Sequence, residues 1–476
     1  MSKDEVPFTR YRPLIDDWDA FQAAVKRPLP TTIWANPQRI TPEALPELLN
    51  RPVAPIPWYP GGFRLLDDFP VGRHWAYLAG LYHVQEEVSL LPVPFLDIQP
   101  GDRTLDLCAA PGNKSAQIGV MLQGTGTIVA NDRSVGRMRA ASHALNRLGL
   151  VNVTTTTTDA VNYPAGSGFF HKILADVPCS CEGTCRKDRS VTWRVSLKDS
   201  QKLAGSQLAI LRKAVQRCRA GGRIVYATCT FAPEENELIV NAMLQDYGKF
   251  VRLLPASIPG LHTSPGLTTW QGQSLHPDLS QAIRVWPHQN DTGGFFVAVL
   301  EKTEDARSRA EKPPIAELPW ENVKEEREPW LTILADRFGM DLAHFDDFVI
   351  FREGRRGVYI ANRDQQPPQK PKPDAVGMLF MHTEGKYPKL TTAAAMQFGR
   401  FARDNVIDLQ PEQVQAFMAR QDFHVDAAQV VDVSGTGYVI LRYRGYVVGL
   451  GVYRQHLGLV ESLYPKGWAR KQVCCH

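Results

Sequence analysis

The stretch Asp176-Val177-Pro178-Cys179-Ser180-Cys181-Glu182-Gly183-Thr184-Cys185 places three of the chain's eight cysteines within seven residues, close behind an acid. Clustered thiols support three kinds of chemistry: a metal cage, a redox pair, or a sulfur that attacks and leaves carbon. A second motif, Tyr226-Ala227-Thr228-Cys229-Thr230, sets one more cysteine between two threonines. The spacing C-x-C-x₃-C differs from that of structural zinc sites, which pair C-x₂₋₄-C with a matching distant pair, so no metal site is expected there.

The elements that must position these residues are legible in the hydrophobic pattern. Thr104 to Leu107 is a short apolar strand that runs into Cys108-Ala109-Ala110-Pro111-Gly112-Asn113-Lys114, and a helix is predicted from Ser115 to Leu122. Small residues at such a turn let a ligand approach the backbone, and the free N–H groups of the helix start favour negative or polar ligand atoms. A second strand over Thr127 to Ala130 ends in Asn131-Asp132, with the acid roughly 25 residues after the glycine turn begins, where a parallel α/β sheet places a carboxylate on a ribose diol. Alternation continues with a helix over Val135 to Leu148, strands ending at Asp159 and Asp176, a helix over Gln201 to Cys218 and a strand over Arg223 to Ala227. The fold class is therefore α/β, a parallel sheet with helices on both faces and its functional groups at the carboxyl ends of strands. Asp106, Asp132, Asp159 and Asp176 all fall at such ends. The first turn lacks both G-x-G-x-x-G and G-x-x-x-x-G-K-[ST], which disfavours pyrophosphate and triphosphate ligands. A small turn with ribose- and base-facing acids suits S-adenosylmethionine, which has a ribose and an adenine but no phosphate.

Length and charge set the remaining bounds. A chain of 476 residues implies two to four domains. No apolar run is long enough for a membrane span and Met1 to Phe8 has no apolar core, so a cytoplasmic protein without a membrane partner is expected. A net charge of +4 permits nucleic-acid binding without demonstrating it.

Leu105 to Lys114, Asp176-Val177-Pro178-Cys179-Ser180, Arg186-Lys187, Tyr226-Ala227-Thr228-Cys229-Thr230 and Pro233-Glu234-Glu235-Asn236-Glu237 resemble, in order and spacing, the RNA cytosine-5 methyltransferases of the NOL/NOP/sun family. The resemblance covers roughly residues 25 to 300, and the order of later segments is similar to the RsmF-type bacterial ribosomal-RNA branch, whose chains end in a PUA-like domain. It implies a Rossmann-like class I S-adenosylmethionine-dependent methyltransferase domain over 96–302. An N-terminal α+β accessory RNA-binding domain would occupy 1–95; past the methyltransferase domain a charged, proline-bearing run reads as a linker over 303–328, followed by a small α+β domain 329–400 and a PUA-like RNA-binding β-barrel 401–476. It also implies that Cys229 attacks cytosine C6, that Cys179 assists release, that Asp176 reads the base edge and that Lys114 orients the site. Cys108, Ala109, Ala110, Pro111, Gly112 and Lys114 would cradle the cofactor, with Asp132 on its ribose, Asp159 on its adenine, and Arg137 and Asp176 beside it. The implied partner is RNA, ribosomal RNA or the small ribosomal subunit first and transfer RNA next, bound by a monomer. The rival reading is a non-catalytic RNA-binding assembly factor on the same fold.

The chain departs from the family at three places. Asn113 replaces a glycine, a mild change because Asn tolerates a left-handed backbone. Cys181 also replaces a glycine, and with Cys185 it is expected to be a packing or spare thiol. Trp34 stands where the family carries an arginine. Arg186, Lys187 and Arg194, with Glu182, Arg189 and Trp193 nearby, are expected to form a solvated basic patch gripping RNA phosphates. His83, Gln85, Glu86 and Ser89 are expected at the start of an apolar helix, the turn Gly354-Arg355-Arg356-Gly357 at a phosphate, and Cys474-Cys475-His476 in a loose terminus.

Overall fold

The computed structural model describes residues 8–194, 197–303, 324–352, 357–384 and 388–475. Most of the expected linker and Gly354, Arg355 and Arg356 of the basic turn lie outside the described residues.

A 10-stranded mixed sheet forms the centre of the molecule. Its parallel strands lie in the spatial order Val153–Thr157, Thr127–Asp132, Arg103–Asp106, Phe170–Asp176, Cys218–Thr228. Antiparallel Phe295–Lys302 pairs with Cys218–Thr228, and Ile283–Val285 follows it. Runs such as Ile128-Val129-Ala130 and Ile224-Val225-Tyr226 are buried throughout, as a sheet covered on both faces requires. Alternate residues feed two separate cores: Ala130, Leu174 and Val225 pack on one face, Val129, Ile173 and Tyr226 on the other. Strand order reverses between Arg103–Asp106 and Phe170–Asp176, and that reversal opens a crevice at their carboxyl ends. Asp106, Asp132 and Asp176 each end a strand.

In the N-terminal block, strands Val53–Pro55, Gly62–Leu65, Thr32–Ala35 and Tyr82–Val84 make an antiparallel sheet. The apolar helix expected after His83 is absent: His83 lies on the last of these strands opposite Trp34, and Glu87–Leu90 is a short 3₁₀ segment. Pro92 and Pro94 follow at once and deny a helix its backbone donors.

The C-terminal part contains a four-stranded sheet, which includes the hairpin of Phe348–Arg352 with Val358–Asn362, and a five-stranded sheet built on Gly437–Tyr443 and Tyr446–Arg454. One hydrophobic core spans the expected boundary at residue 400. Phe380, Ala394 and Phe398 share one hydrophobic core with Ile440 and Val448, and Trp75 and Leu78 of the N-terminal block belong to it too. The segment after Val358–Asn362 docks on the central sheet, since Gln365 Nε2 donates to Thr154 Oγ1 at 2.8 Å and Ala375–Val376 pairs with the strand Val153–Thr157. The chain end is tied down rather than loose: Trp75 N donates to Cys474 O, Cys475 is buried, and Trp468 Nε1 donates to His143 on the helix Val135–Arg147. Among the described residues no helix is long and apolar enough to cross a membrane.

Candidate active site

Two cysteine loops meet at the crevice. Strand Phe170–Asp176 delivers Asp176 and then the loop holding Cys179, and the neighbouring strand Cys218–Thr228 ends just before Cys229. Buried polar contacts knit the loops together. Gly183 N donates to Cys229 O at 2.8 Å, Ser180 N to Glu235 Oε2 at 2.9 Å, and the Ser180 and Thr230 hydroxyls lie 2.6 Å apart. Thr230 donates its own proton to Glu182 Oε2 at 3.0 Å, so Ser180 is the donor to Thr230. This clamp sets Cys179 Sγ 3.4 Å from Cys229 Sγ and 3.9 Å from Cys181 Sγ. The expectation that Cys181 is a spare thiol is therefore corrected. Its backbone adopts φ 62°, which turns its sulfur back to Cys179, whereas Cys185 is buried in packing.

The three sulfurs titrate as a group. Hydrogen bonds from Cys179 and Cys229 stabilise the Cys181 thiolate and pull its pKa far below the usual thiol range. The same contacts to Cys181 and Cys229, followed by burial, push Cys179 up. At Cys229 the Cys179 contact pulls down, but the Cys181 contact, burial and nearby negative charge together outweigh it, and the pKa is raised.

Lys114 Nζ meets Asp176 Oδ2 at 2.7 Å. Burial alone would lower the Lys114 pKa, but the Asp176 charge and hydrogen bond raise it above its usual value, so the ammonium is firmly protonated. Asp106 lies deeper, accepting from Ser115 Oγ at 2.7 Å and Cys108 N at 3.3 Å. Burial pushes its pKa up to about 7, with the Asp176 charge adding to the effect.

Cys108, Ala110, Pro111, Lys114, Arg137, Asp176 and the three clustered cysteines line one cavity of about 350 Å³. Gly112 has φ 103°, and a Cβ there would come within 3.0 Å of Ala141 Cβ, so the turn closes on the helix Val135–Arg147 only with glycine. The left-handed residue is thus Gly112. Asn113 is the first residue of the helix Asn113–Met121, so the tolerance of Asn for a left-handed backbone has no part in its presence. Behind Asn113, Arg147 Nη2 donates to His83 Nδ1 at 2.9 Å, which leaves the His83 Nε2 proton for Asn113 Oδ1 at 3.0 Å. Burial, with Arg147 alongside, lowers the His83 pKa to about 3 and keeps the ring neutral. Asp132 is 3 % exposed and accepts from Ser134 N at 2.9 Å. Arg137 lies 3.3 Å from it and also donates to Ala110 O at 2.6 Å, bridging the two sides of the groove. Asp159 stands two residues past its strand, exposed, and accepts from Val161 N.

The expected basic patch divides. Lys187 is exposed and lines the cavity. Arg186 is corrected to a structural residue: its guanidinium is 0 % exposed, donates to the carbonyls of Arg27, Pro28 and Thr292, and pairs with Asp291 at 2.7 Å. A guanidinium spent on three carbonyls and a carboxylate has no face left for a phosphate. Glu182 is likewise buried, accepting from Tyr11 Oη at 2.8 Å and Phe231 N at 3.2 Å. The side chains of Trp193 and Arg194 lie outside the described residues. Sequence reasoning passed over Ser180, Thr230 and Glu235 as the clamp between the loops. Their signal was available, since each sits within one to six residues of a motif cysteine.

Three family models match the chain: 16S rRNA methyltransferase RsmB/F over residues 93–301, the N-terminal domain of 16S rRNA methyltransferase RsmF over 8–87, and the methyltransferase RsmF PUA domain over 404–470. Ribosomal RNA small subunit methyltransferase F of Aeromonas hydrophila is 30% identical over 456 residues, covering 91% of this chain and 90% of that protein. The mouse 28S rRNA (cytosine-C(5))-methyltransferase is 35% identical over 291 residues, 59% of this chain and 36% of its own. Among solved structures, a methyltransferase homologue from Pyrococcus horikoshii aligns with a TM-score of 0.54 at 30% identity, covering 60% of this chain and 90% of that one. With the parallel sheet, the paired cysteine loops and near full-length similarity all in agreement, the chain belongs to the RsmF family of 16S rRNA methyltransferases.

Proposed function

We propose that this chain methylates C5 of a cytosine in small-subunit ribosomal RNA, using S-adenosylmethionine. The observation that carries this reading is the approach of Cys179 to Cys229, at 3.4 Å, beside the Lys114–Asp176 pair in the cavity that the first turn also lines.

The residues at the crevice fit the cofactor. Asp132, paired with the cavity residue Arg137, offers a buried carboxylate to a ribose diol, Cys108, Ala110 and Pro111 present small side chains to a ligand in the cavity, and Asp159 lies outside that lining, farther along the same edge for the adenine. Arg137 is 54 % exposed, so it can swing off Asp132 to make room. Bound there, the cofactor supplies an electrophilic methyl group.

Cys229 releases its thiol proton to solvent in the cavity as its sulfur adds to C6 of the cytosine, and the addition makes C5 electron-rich. Lys114 holds Asp176 Oδ2, so the other carboxylate oxygen is the one that meets the N3/N4 edge and favours the protonated ring as charge builds on it. After C5 takes the methyl group, its proton leaves, the ring double bond reforms and the Cys229–C6 bond breaks. Cys179 assists this release at contact distance. The target base must be unstacked to reach the cavity, and Lys187 at its rim suits a flanking phosphate.

Transfer RNA is the second substrate to test, because a fission-yeast relative named as a multisite-specific tRNA:(cytosine-C(5))-methyltransferase is 31% identical over 63% of this chain. Its match spans 58% of its own length, whereas the A. hydrophila relative is matched over 90%, which favours ribosomal RNA. Bisulfite sequencing of total RNA with and without the gene decides between them. Loss of one 5-methylcytosine in 16S rRNA is expected. Loss confined to transfer RNA overturns the substrate, and cofactor binding with no lost mark in any RNA returns the non-catalytic reading.

A further inference from the structure

We propose that Cys179, Cys181 and Cys229 together form a site for a thiophilic d¹⁰ cation, Zn²⁺. The expectation of no metal here rested on the spacing from Cys179 to Cys185, but Cys185 is buried apart and the third sulfur comes from Cys229, across the fold.

A Zn–S bond of about 2.3 Å in tetrahedral geometry sets ligand sulfurs roughly 3.8 Å apart. Here the Cys179–Cys181 separation is 3.9 Å, Cys179–Cys229 is 3.4 Å, and all three sulfurs lie within 4.8 Å of one another. The two Cys179 separations lie within a few tenths of an ångström of that spacing. The site is held before any ion arrives, because the left-handed backbone at Cys181 and the Ser180–Thr230 and Gly183–Cys229 bonds fix the loops. The nearby ammonium of Lys114 is neutralised by Asp176 and does not repel a cation unopposed. All three cysteines line the cavity, so a fourth position is open to water. Three protein ligands and an open position are the pattern of an accessible zinc site rather than of a closed structural one.

Zn²⁺ displaces the remaining thiol protons on binding, and it occupies the sulfur lone pairs of both Cys229 and Cys179. Metal occupancy and methyl transfer then exclude each other. This consequence rests on the catalytic roles proposed above, whereas the binding does not.

The test titrates the full-length reduced protein with Co²⁺ as an optical stand-in, then displaces it with Zn²⁺ against a chromophoric chelator. Wild type is expected to bind one equivalent with a strong thiolate-to-cobalt charge-transfer band. Cys181→Gly, which suits the left-handed position and so keeps the loop, should lose about 100-fold in affinity, as roughly 2.7 kcal/mol of lost ligation would give. Cys185→Ser should match wild type. No charge-transfer band in wild type, or a Cys181→Gly variant that binds as tightly, overturns the site. Reversible Zn²⁺ inhibition of wild type, relieved by chelator, is also expected. Binding without inhibition upholds the site and overturns the roles of Cys229 and Cys179.

Discussion

Cys179 and Cys229 lie 50 residues apart in sequence and 3.4 Å apart at their sulfurs. One base can therefore be reached by both thiols, and replacing each should fail differently. Cys229→Ala should abolish methyl incorporation into RNA. Cys179→Ala should slow turnover by about 10²–10⁴-fold and accumulate a covalent RNA adduct that survives a denaturing gel. A Cys179→Ala enzyme that turns over normally, without adduct, removes the release role.

Asp132 is buried at the end of its strand and engages both Ser134 N and Arg137. Asp132→Asn should weaken S-adenosylmethionine binding by about 10–100-fold, the worth of a charge-assisted hydrogen bond. Calorimetry reads this directly, and unchanged affinity takes the ribose away from Asp132.

Arg186 and Lys187 are neighbours with opposite duties. Arg186→Ala orphans three carbonyls and should cost on the order of 3 kcal/mol of stability, seen as a lower melting temperature. Lys187→Ala should leave melting unchanged and reduce the dependence of RNA affinity on salt by about one counterion. If Arg186→Ala instead melts like wild type and flattens the salt response, the buried reading of its guanidinium is wrong.

Asp106 carries a pH dependence of definite sign. Its folded-state pKa of about 7 lies above the usual carboxyl value because burial disfavours the charge. The unfolded chain therefore releases this proton first. The contribution to stability is whole below about pH 4 and is lost as pH rises through about 7, with a ceiling on the order of 4 kcal/mol. Asp106→Asn keeps an acceptor for Cys108 N and a donor for Ser115, and it has no proton to lose. Its melting-temperature advantage over wild type should grow from pH 5 to pH 8, and an advantage independent of pH places the titration elsewhere.

Much of the α/β scaffold was legible because its signals are local. Buried parallel strands read as short apolar runs, and the turn before Asn113 is marked by small residues. Strand Thr127–Asp132 and the helix starting at Val135 follow from a few residues each. The missed elements share a different cause. The helix expected after His83 is absent because Pro92 and Pro94 follow at once, and the burial of Arg186 depends on carbonyls brought in from distant segments.

The sequence by itself determined the alternation of strands and helices, the acids at strand ends, and the resemblance to RNA cytosine-5 methyltransferases, because periodicity and turn chemistry are written in adjacent residues. Only the tertiary structure decided that Arg186 is buried among carbonyls, that Gly112 rather than Asn113 takes the left-handed turn, and that Cys181 joins Cys179 and Cys229. Those outcomes depend on loops from distant segments meeting. Where they meet, each buried polar group must find its partner across the fold rather than along the chain.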